Sequence, residues 1–311
     1  MDFRHLNIHL LSTPGIPEIM KDLHIANRTF AWGARTYIMG ILNVTPDSFS
    51  GDGLISETDT VYRALAQADR FAKAGVDILD VGGESTRPGA EPVSAVQEQD
   101  RVIPVIQALA SEVNIPVSID TYKAEVAAAA LDAGAHLVND VWALRADPDL
   151  ATLVAERGAP VILMHNRSNP ANADLREHLG GRYIGVEYEN LIEDIKRELM
   201  ESVAIAKEGG VPDEHIILDP GIGFGKTVEQ NLELVNRCGE VRELGYSLLV
   251  GPSRKSFIGY TLDLPPDQRV EGTAAAVAIA IARGADIVRV HDVEVIARVV
   301  KMTDAIVRRG A

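Results

Sequence analysis

Cysteine is almost missing from this chain of 311 residues: Cys238 stands alone, which excludes an intramolecular disulfide and a cage of thiolate metal ligands. A reducing compartment is the simple expectation, and the chain reads as cytoplasmic. Long hydrophobic runs are also lacking. No stretch reaches the roughly 18 apolar residues that a bilayer span needs. The opening residues do not follow the charged, apolar, small order of a secretory signal, despite the short apolar patch Ile8–Leu11. Basic charge is in deficit as well, with 30 Lys and Arg against 45 Asp and Glu, a net charge of -15. Such a surface repels phosphate backbones and anionic lipid at long range, and no local basic patch offsets it, so neither nucleic acid nor a membrane is an expected partner. An anionic substrate would have to be held by a few focused cations.

What is present is ordinary globular chemistry, 46% hydrophobic and 24% charged. The length allows two domains, yet α/β barrels often occupy this size as one, and no linker or low-complexity segment divides residues 1–311. Nearly every short apolar run ends on a residue that can do chemistry. Ile38–Leu42 runs into Asn43, Ile78–Val81 into Gly82-Gly83-Glu84-Ser85, Val117–Ile119 into Asp120, and Leu137-Val138 into Asn139-Asp140. Val161–Met164 meets His165, Ile216–Leu218 delivers Asp219, Leu248–Val250 leads to Ser253-Arg254-Lys255, and Ile287–Val290 encloses Arg289 before His291. If these runs are parallel strands, their polar ends share one rim, the pattern of an active site.

One unit recurs. Ala74-Gly75-Val76-Asp77-Ile78, Ala133-Gly134-Ala135-His136-Leu137, Arg157-Gly158-Ala159-Pro160-Val161 and Arg283-Gly284-Ala285-Asp286-Ile287 each stop a helix-forming stretch at a glycine suited to a left-handed turn and then begin an apolar run. Eight strand–helix units follow from this joint, the first near residue 38 and the last near residue 287, which favours a closed parallel barrel over an open sheet. Composition predicts helices over Thr58–Ala74, Glu91–Ser111, Ala124–Ala133, Val186–Glu208, Val228–Leu244 and Gly272–Arg283. The polar, glycine-closed stretch Asn166–Gly185 is expected to be a long loop after strand five. Residues 1–35 precede the repeats as an N-terminal extension. Within this region, Thr29–Trp32 and Arg35–Ile38, around Gly33-Ala34, are expected to form a hairpin that plugs the barrel floor.

The individual motifs have bland readings. Asn43-Val44-Thr45-Pro46-Asp47-Ser48-Phe49-Ser50 would serve as a well-capped turn, and Glu84-Ser85-Thr86-Arg87-Pro88-Gly89 as another that carries a guanidinium able to meet phosphate. Asp219-Pro220-Gly221-Ile222-Gly223-Phe224-Gly225-Lys226-Thr227 ends like a phosphate loop. Pro220 stands where that loop needs its first glycine, so its glycines are read as room for a flat ligand. Taken singly, Asp120 and Asp219 read as helix caps, Lys255 as a solvated lysine, Asn139 as a turn residue and His291 as a satisfied barrel histidine.

Together these blocks, with Ser118-Ile119-Asp120-Thr121-Tyr122, Met164-His165, Gly251-Pro252-Ser253-Arg254-Lys255-Ser256 and Arg289-Val290-His291-Asp292-Val293, resemble the dihydropteroate synthases over roughly residues 36 to 293. The resemblance implies a TIM (β/α)8 barrel that joins 4-aminobenzoate to a dihydropterin methyl pyrophosphate with Mg2+, and a homodimer. It implies that Asp219 accepts from the pterin's 2-amino-4-oxo edge, that Asp120 and Asn139 read neighbouring ring nitrogens, that Lys255 donates to the carbonyl side, and that Met164 and Phe224 touch the ring. Pyrophosphate falls to Asn43, Arg289 and His291, with Asn43 also linked to the metal, and to Thr86 and Arg87 on a mobile loop. Aminobenzoate falls among Thr86, Pro88, Phe224 and the Lys255 stem, its carboxylate near Ser253. The catalytic set so implied is Thr86, Arg87 and Lys255. The chain departs from the family at His165-Asn166-Arg167-Ser168-Asn169-Pro170, where Met-His-Met-x-Gly-Thr-Pro is usual. A pterin-dependent methyltransferase and a non-catalytic pterin-binding protein are the rival expectations.

Overall fold

Eight parallel strands hydrogen-bond edge to edge and close into a barrel in this computed structural model, which describes residues 20–45, 57–86, 90–169, 173–176, 178–183 and 187–308. A hairpin, β1 (Leu23–Ile25) and β2 (Arg28–Phe30), comes first. The barrel strands are β3 (Tyr37–Asn43), β4 (Ile78–Gly82), β5 (Val117–Asp120), β6 (Leu137–Asp140), β7 (Val161–Met164), β10 (Ile216–Asp219), β11 (Ser247–Val250) and β12 (Ile287–Val290). A second short hairpin, β8 (Ala173–Arg176) and β9 (Gly180–Tyr183), interrupts the series after β7. Helices α1 (Glu57–Ala74), α2 (Ala95–Glu112), α3 (Ala124–Asp132), α4 (Leu150–Glu156), α5 (Leu191–Glu208), α6 (Val228–Arg237), α7 (Gly239–Arg242), α8 (Ser256–Leu262), α9 (Val270–Ala282) and α10 (Val293–Val307) surround the barrel.

The strand alternation of period two sorts the core into separate parts. Leu42, Val81, Ile119, Val138, Leu163, Leu218, Val250 and Val288 point outward and pack with the helices in one buried cluster. Met39, Ile78, Leu137, Ile162, Ile217, Leu249 and Ile287 point inward and form a second cluster with Leu23, Ile25, Phe30, Trp32 and Tyr37. The N-terminal hairpin therefore closes the barrel floor, as expected. The four helix-to-strand glycines Gly75, Gly134, Gly158 and Gly284 all have positive φ, which explains why the joint repeats.

Several boundaries differ from the sequence expectation. The floor hairpin turns at Ala26-Asn27 rather than Gly33-Ala34, and Tyr37 and Ile38 belong to β3. The turn signal at Gly33 is real, with φ 85, but it links the hairpin to the barrel. Helix α2 starts at Ala95 because Ser94 and Gln97 form a reciprocal cap, and α5 starts at Leu191 because the Asn190 side chain accepts from the Glu193 N–H. The expected helix Val228–Leu244 breaks at Cys238 into α6 and α7, where a side chain on Gly239 would overlap the Arg283 carbonyl. The stretch after β7 is not simply loop. Its hairpin is tied down by Arg269, whose buried guanidinium donates to the carbonyls of Leu179 at 2.8 Å, Arg254 at 2.9 Å and Leu264 at 3.0 Å.

Candidate active site

Above the apolar floor the inward positions turn polar. Two residues beyond Ile78 is Asp80, two beyond Leu137 is Asn139, two beyond Ile217 is Asp219 and two beyond Ile287 is Arg289, so one further step of the pleat replaces hydrocarbon by polar groups on four strands, three of them ionisable. Asp120 ends β5 beside them. These side chains interlock. Arg289 donates to Asp80 at 2.6 Å and to Asp120 at 2.5 Å, and the Asn139 amide donates to the same Asp80 oxygen at 3.2 Å. The other Asp80 oxygen is buried without a hydrogen-bond partner. Burial raises the Asp120 carboxyl, opposed by Arg289 and reinforced by the neighbouring carboxylates of Asp80, Glu98 and Asp140.

The loop after β10 forms the adjoining wall. One Asp219 oxygen accepts the Gly221 N–H at 2.7 Å. Burial raises its pKa, opposed by Lys255, that N–H, Arg289 and Lys226. Gly221 has φ 72, and a Cβ there would overlap the His165 carbonyl, so only glycine lets this loop pass so close to the end of β7. Lys255, just before α8, reaches back over the same loop: its ammonium donates to the Ile222 carbonyl and lies 4.6 Å from the centre of the Phe224 ring. Burial pulls the Lys255 pKa down to about 8, with Asp219 opposing, Arg289 adding to the fall and Asp120 opposing. Beyond β11 and β12, the Ser253 hydroxyl oxygen accepts the His291 N–H at 3.1 Å and lies 3.0 Å from Nδ1 of the same residue.

The structure thus brings Asp120, Asn139, Asp219, Arg289, Lys255, Phe224, Ser253 and His291 to one barrel mouth, with Met164 buried at the end of β7 and Asn43 at the end of β3. Asn43 Oδ1 is 3.9 Å, and the nearer Asp120 oxygen 3.6 Å, from the point where a Cβ on Gly82 would stand. Thr86 follows β4, and its carbonyl lies 3.5 Å from the Tyr183 hydroxyl of β9. Arg87 and Pro88 lie outside the described residues, as does most of the loop after β3.

Three participants escaped the sequence reading. Asp80 lay hidden in an apolar run, although a carboxylate inside Ile78-Leu79-Asp80-Val81 with Ile78 facing inward is itself the signal. Lys226 has no signal of its own within the Asp219–Lys226 block, and Glu198 has no local signal, since it lies 33 residues along the chain from His165. Asp140, quoted at a strand end, turns out to be structural. Its oxygens accept from the N–H groups of Trp142 at 2.8 Å and Leu144 at 2.5 Å, holding a turn in which Ala143 and Leu144 both have positive φ.

Comparison with known proteins gives the same picture. A family model described as pterin binding enzyme matches residues 39–291. The dihydropteroate synthase of Clostridium beijerinckii is 51% identical over 288 residues, covering 92% of this chain and 100% of that protein. A dihydropteroate synthase from Clostridium difficile, solved in the presence of pteroic acid, superposes with a TM-score of 0.80 at 46% identity over 90% of this chain and 100% of that one. The Xanthomonas albilineans enzyme solved with 4-aminobenzoic acid gives 0.79 at 40% identity, covering 90% of this chain and 94% of that one.

Proposed function

Since this chain belongs to the dihydropteroate synthases, within the pterin binding enzymes, we propose a division of labour among the residues of its barrel mouth. The reaction is a transfer in folate biosynthesis that condenses 6-hydroxymethyl-7,8-dihydropterin pyrophosphate with 4-aminobenzoate. The bond from the methylene carbon to the pyrophosphate oxygen breaks, its electron pair leaving with pyrophosphate. The aminobenzoate nitrogen supplies the pair for the new C–N bond and sheds a proton. No protein nucleophile is required.

Asp219, with Asn139 and Asp120, takes the donor edge of the pterin, and Lys255 donates to its carbonyl side. A carboxylate accepting two parallel N–H groups is strong and directional, and burial makes any unmatched edge costly, so the site favours pterins over flat analogues. Met164 and Phe224 supply apolar contact to the ring. Arg289, His291, Asn43, Thr86 and Arg87 hold the pyrophosphate, where fixed cations and donors meet charge that grows as the bond breaks. The ring nitrogens share the positive charge on the methylene carbon, which favours bond breaking ahead of amine attack. The aminobenzoate lies among Thr86, Pro88, Phe224 and the Lys255 stem, with Ser253 toward its carboxylate.

Asn43 offers an amide oxygen for Mg2+. The described residues contain no group of three or more His, Cys, Asp or Glu arranged to hold a metal, and the chemistry of Mg2+ does not require one, because it keeps several waters and takes substrate phosphate oxygens. When bound, the ion would neutralise charge on the pyrophosphate. We also place the enzyme in the cytoplasm, consistent with its lone buried Cys238, and expect a homodimer, consistent with exposed Ile279, Met302 and Ile306 on α9 and α10. Among the described residues no helix is long and apolar enough to cross a membrane.

The observation that carries this reading is the single interlocked layer of Asp80, Asp120, Asn139 and Arg289 beside Asp219 and Lys255. Purified enzyme with Mg2+ and the pterin pyrophosphate is expected to release pyrophosphate in proportion to added 4-aminobenzoate. Tight pterin binding with no release in either condition would instead support the non-catalytic alternative. The relatives compared above are synthases, not methyltransferases.

A further inference from the structure

Lys226 is buried at 3% exposure and spends all three of its N–H donors inside the protein. Its ammonium reaches the Gly221 carbonyl at 2.9 Å, the Phe224 carbonyl at 3.0 Å and His165 Nδ1 at 3.0 Å. His165 Nε2 is 3.1 Å from Glu198 on α5, and Glu198 also binds Arg167, with Arg167 Nε at 3.0 Å. Burial and then the Lys226 charge push the His165 pKa down to about 3, and burial lowers that of Lys226 as well, opposed by Asp219, so the ring is neutral and accepts a lysine N–H at Nδ1. Asn231 of α6 grips the other side of the loop, accepting the Gly223 N–H at 2.6 Å and donating to the Lys226 carbonyl at 3.2 Å.

The loop so held carries three groups of the barrel mouth: the Gly221 N–H on Asp219, the Ile222 carbonyl on Lys255 and the Phe224 ring. We propose that Lys226 is a positioning residue for the condensation, locking the loop after β10 onto His165 and thereby fixing Asp219, Phe224 and Lys255 relative to one another. With its three donors spent on protein atoms, Lys226 has none left for a substrate. It sets spacing, to which rates respond steeply, since a displacement of about 1 Å can cost on the order of 100-fold. The proposal rests on the site reading above.

The test compares Lys226→Met with Arg242→Met in the full-length enzyme with Mg2+. Arg242 is equally buried, but its partner is Asp286 at 2.9 Å on the floor side of the barrel, so it reports loss of a buried cation without loss of the loop anchor. Lys226→Met is expected to lower kcat by about 100-fold and to weaken pterin binding by calorimetry, while Arg242→Met at comparable loss of Tm leaves both within about twofold. In protein labelled with 15N-histidine, His165 of the parent carries its proton on Nε2, and its pKa rises in Lys226→Met. Unchanged kcat and pterin affinity in Lys226→Met, or equal losses in both variants, would overturn the inference. If Lys226→Met fails to fold, His165→Asn, which keeps the lysine and removes its ring acceptor, is judged by the same kinetic criteria. Failure of the parent to release pyrophosphate would refute the site reading instead, and pterin affinity would still decide the role of Lys226.

Discussion

In the proposed pterin grip Asp219 and Lys255 need opposite charges, and burial works against both. The Asp219 pKa is raised and that of Lys255 is lowered to about 8. Lowering pH therefore protonates Asp219 from above the usual carboxylate range, and raising pH through about 8 discharges Lys255. The expected kcat/KM for the pterin pyrophosphate is a bell with limbs drawn inward from both sides, measured by initial rates across pH. Lys255→Met should remove the basic limb. A parent profile that stays level through that region would show that Lys255 charge is not needed. Asp219→Asn is expected to weaken pterin binding, whereas Arg87→Ala mainly slows turnover; calorimetry beside steady-state rates separates the two effects. Residues at strand ends were legible because an apolar run stops on them. Asp80 was not, because it lies one pleat deeper and interrupts the run without ending it.

Elements were legible where local chemistry decides them. All eight barrel strands lie where the short apolar runs stand, and the glycines before four of them have the left-handed backbone that the repeat implied. Helix limits were less so, because they depend on single caps and on distant contacts such as Gly239 against Arg283. The α6 cap is a case with a measurable cost. The Thr227 hydroxyl accepts the Gln230 N–H at 3.2 Å, while the Gln230 side chain accepts the Thr227 N–H at 2.9 Å. Thr227→Ala should therefore lower stability by about 1 kcal/mol, seen as a shifted denaturant midpoint at constant slope. Because Thr227 follows Lys226 directly, a change in kinetics larger than the change in stability would show that this helix start also braces the loop. The hairpin after β7 was hidden for another reason: its anchors, Arg269 and Tyr260, lie far along the chain.

At the scale of the whole molecule, eight strand–helix units were enough to choose a closed barrel, while the exact strands of the floor hairpin depended on packing that sequence periodicity does not report. The outer surface makes its own prediction. Ile279 on α9 and Met302 and Ile306 on α10 leave 45%, 63% and 63% of their surface exposed. Light scattering is expected to give twice the chain mass of 33.5 kDa, and Met302→Glu with Ile306→Glu to shift it toward one chain. A single-chain mass for the parent across micromolar concentrations would remove the homodimer from the reading.

The hydrocarbon stopper of Leu23, Ile25, Phe30, Trp32 and Tyr37 makes the barrel a cul-de-sac. Whatever rests on the Asp80 and Asn139 tier must arrive before, and depart after, anything stacked nearer the entrance. Traffic through one doorway thus imposes a queue on the two reactants.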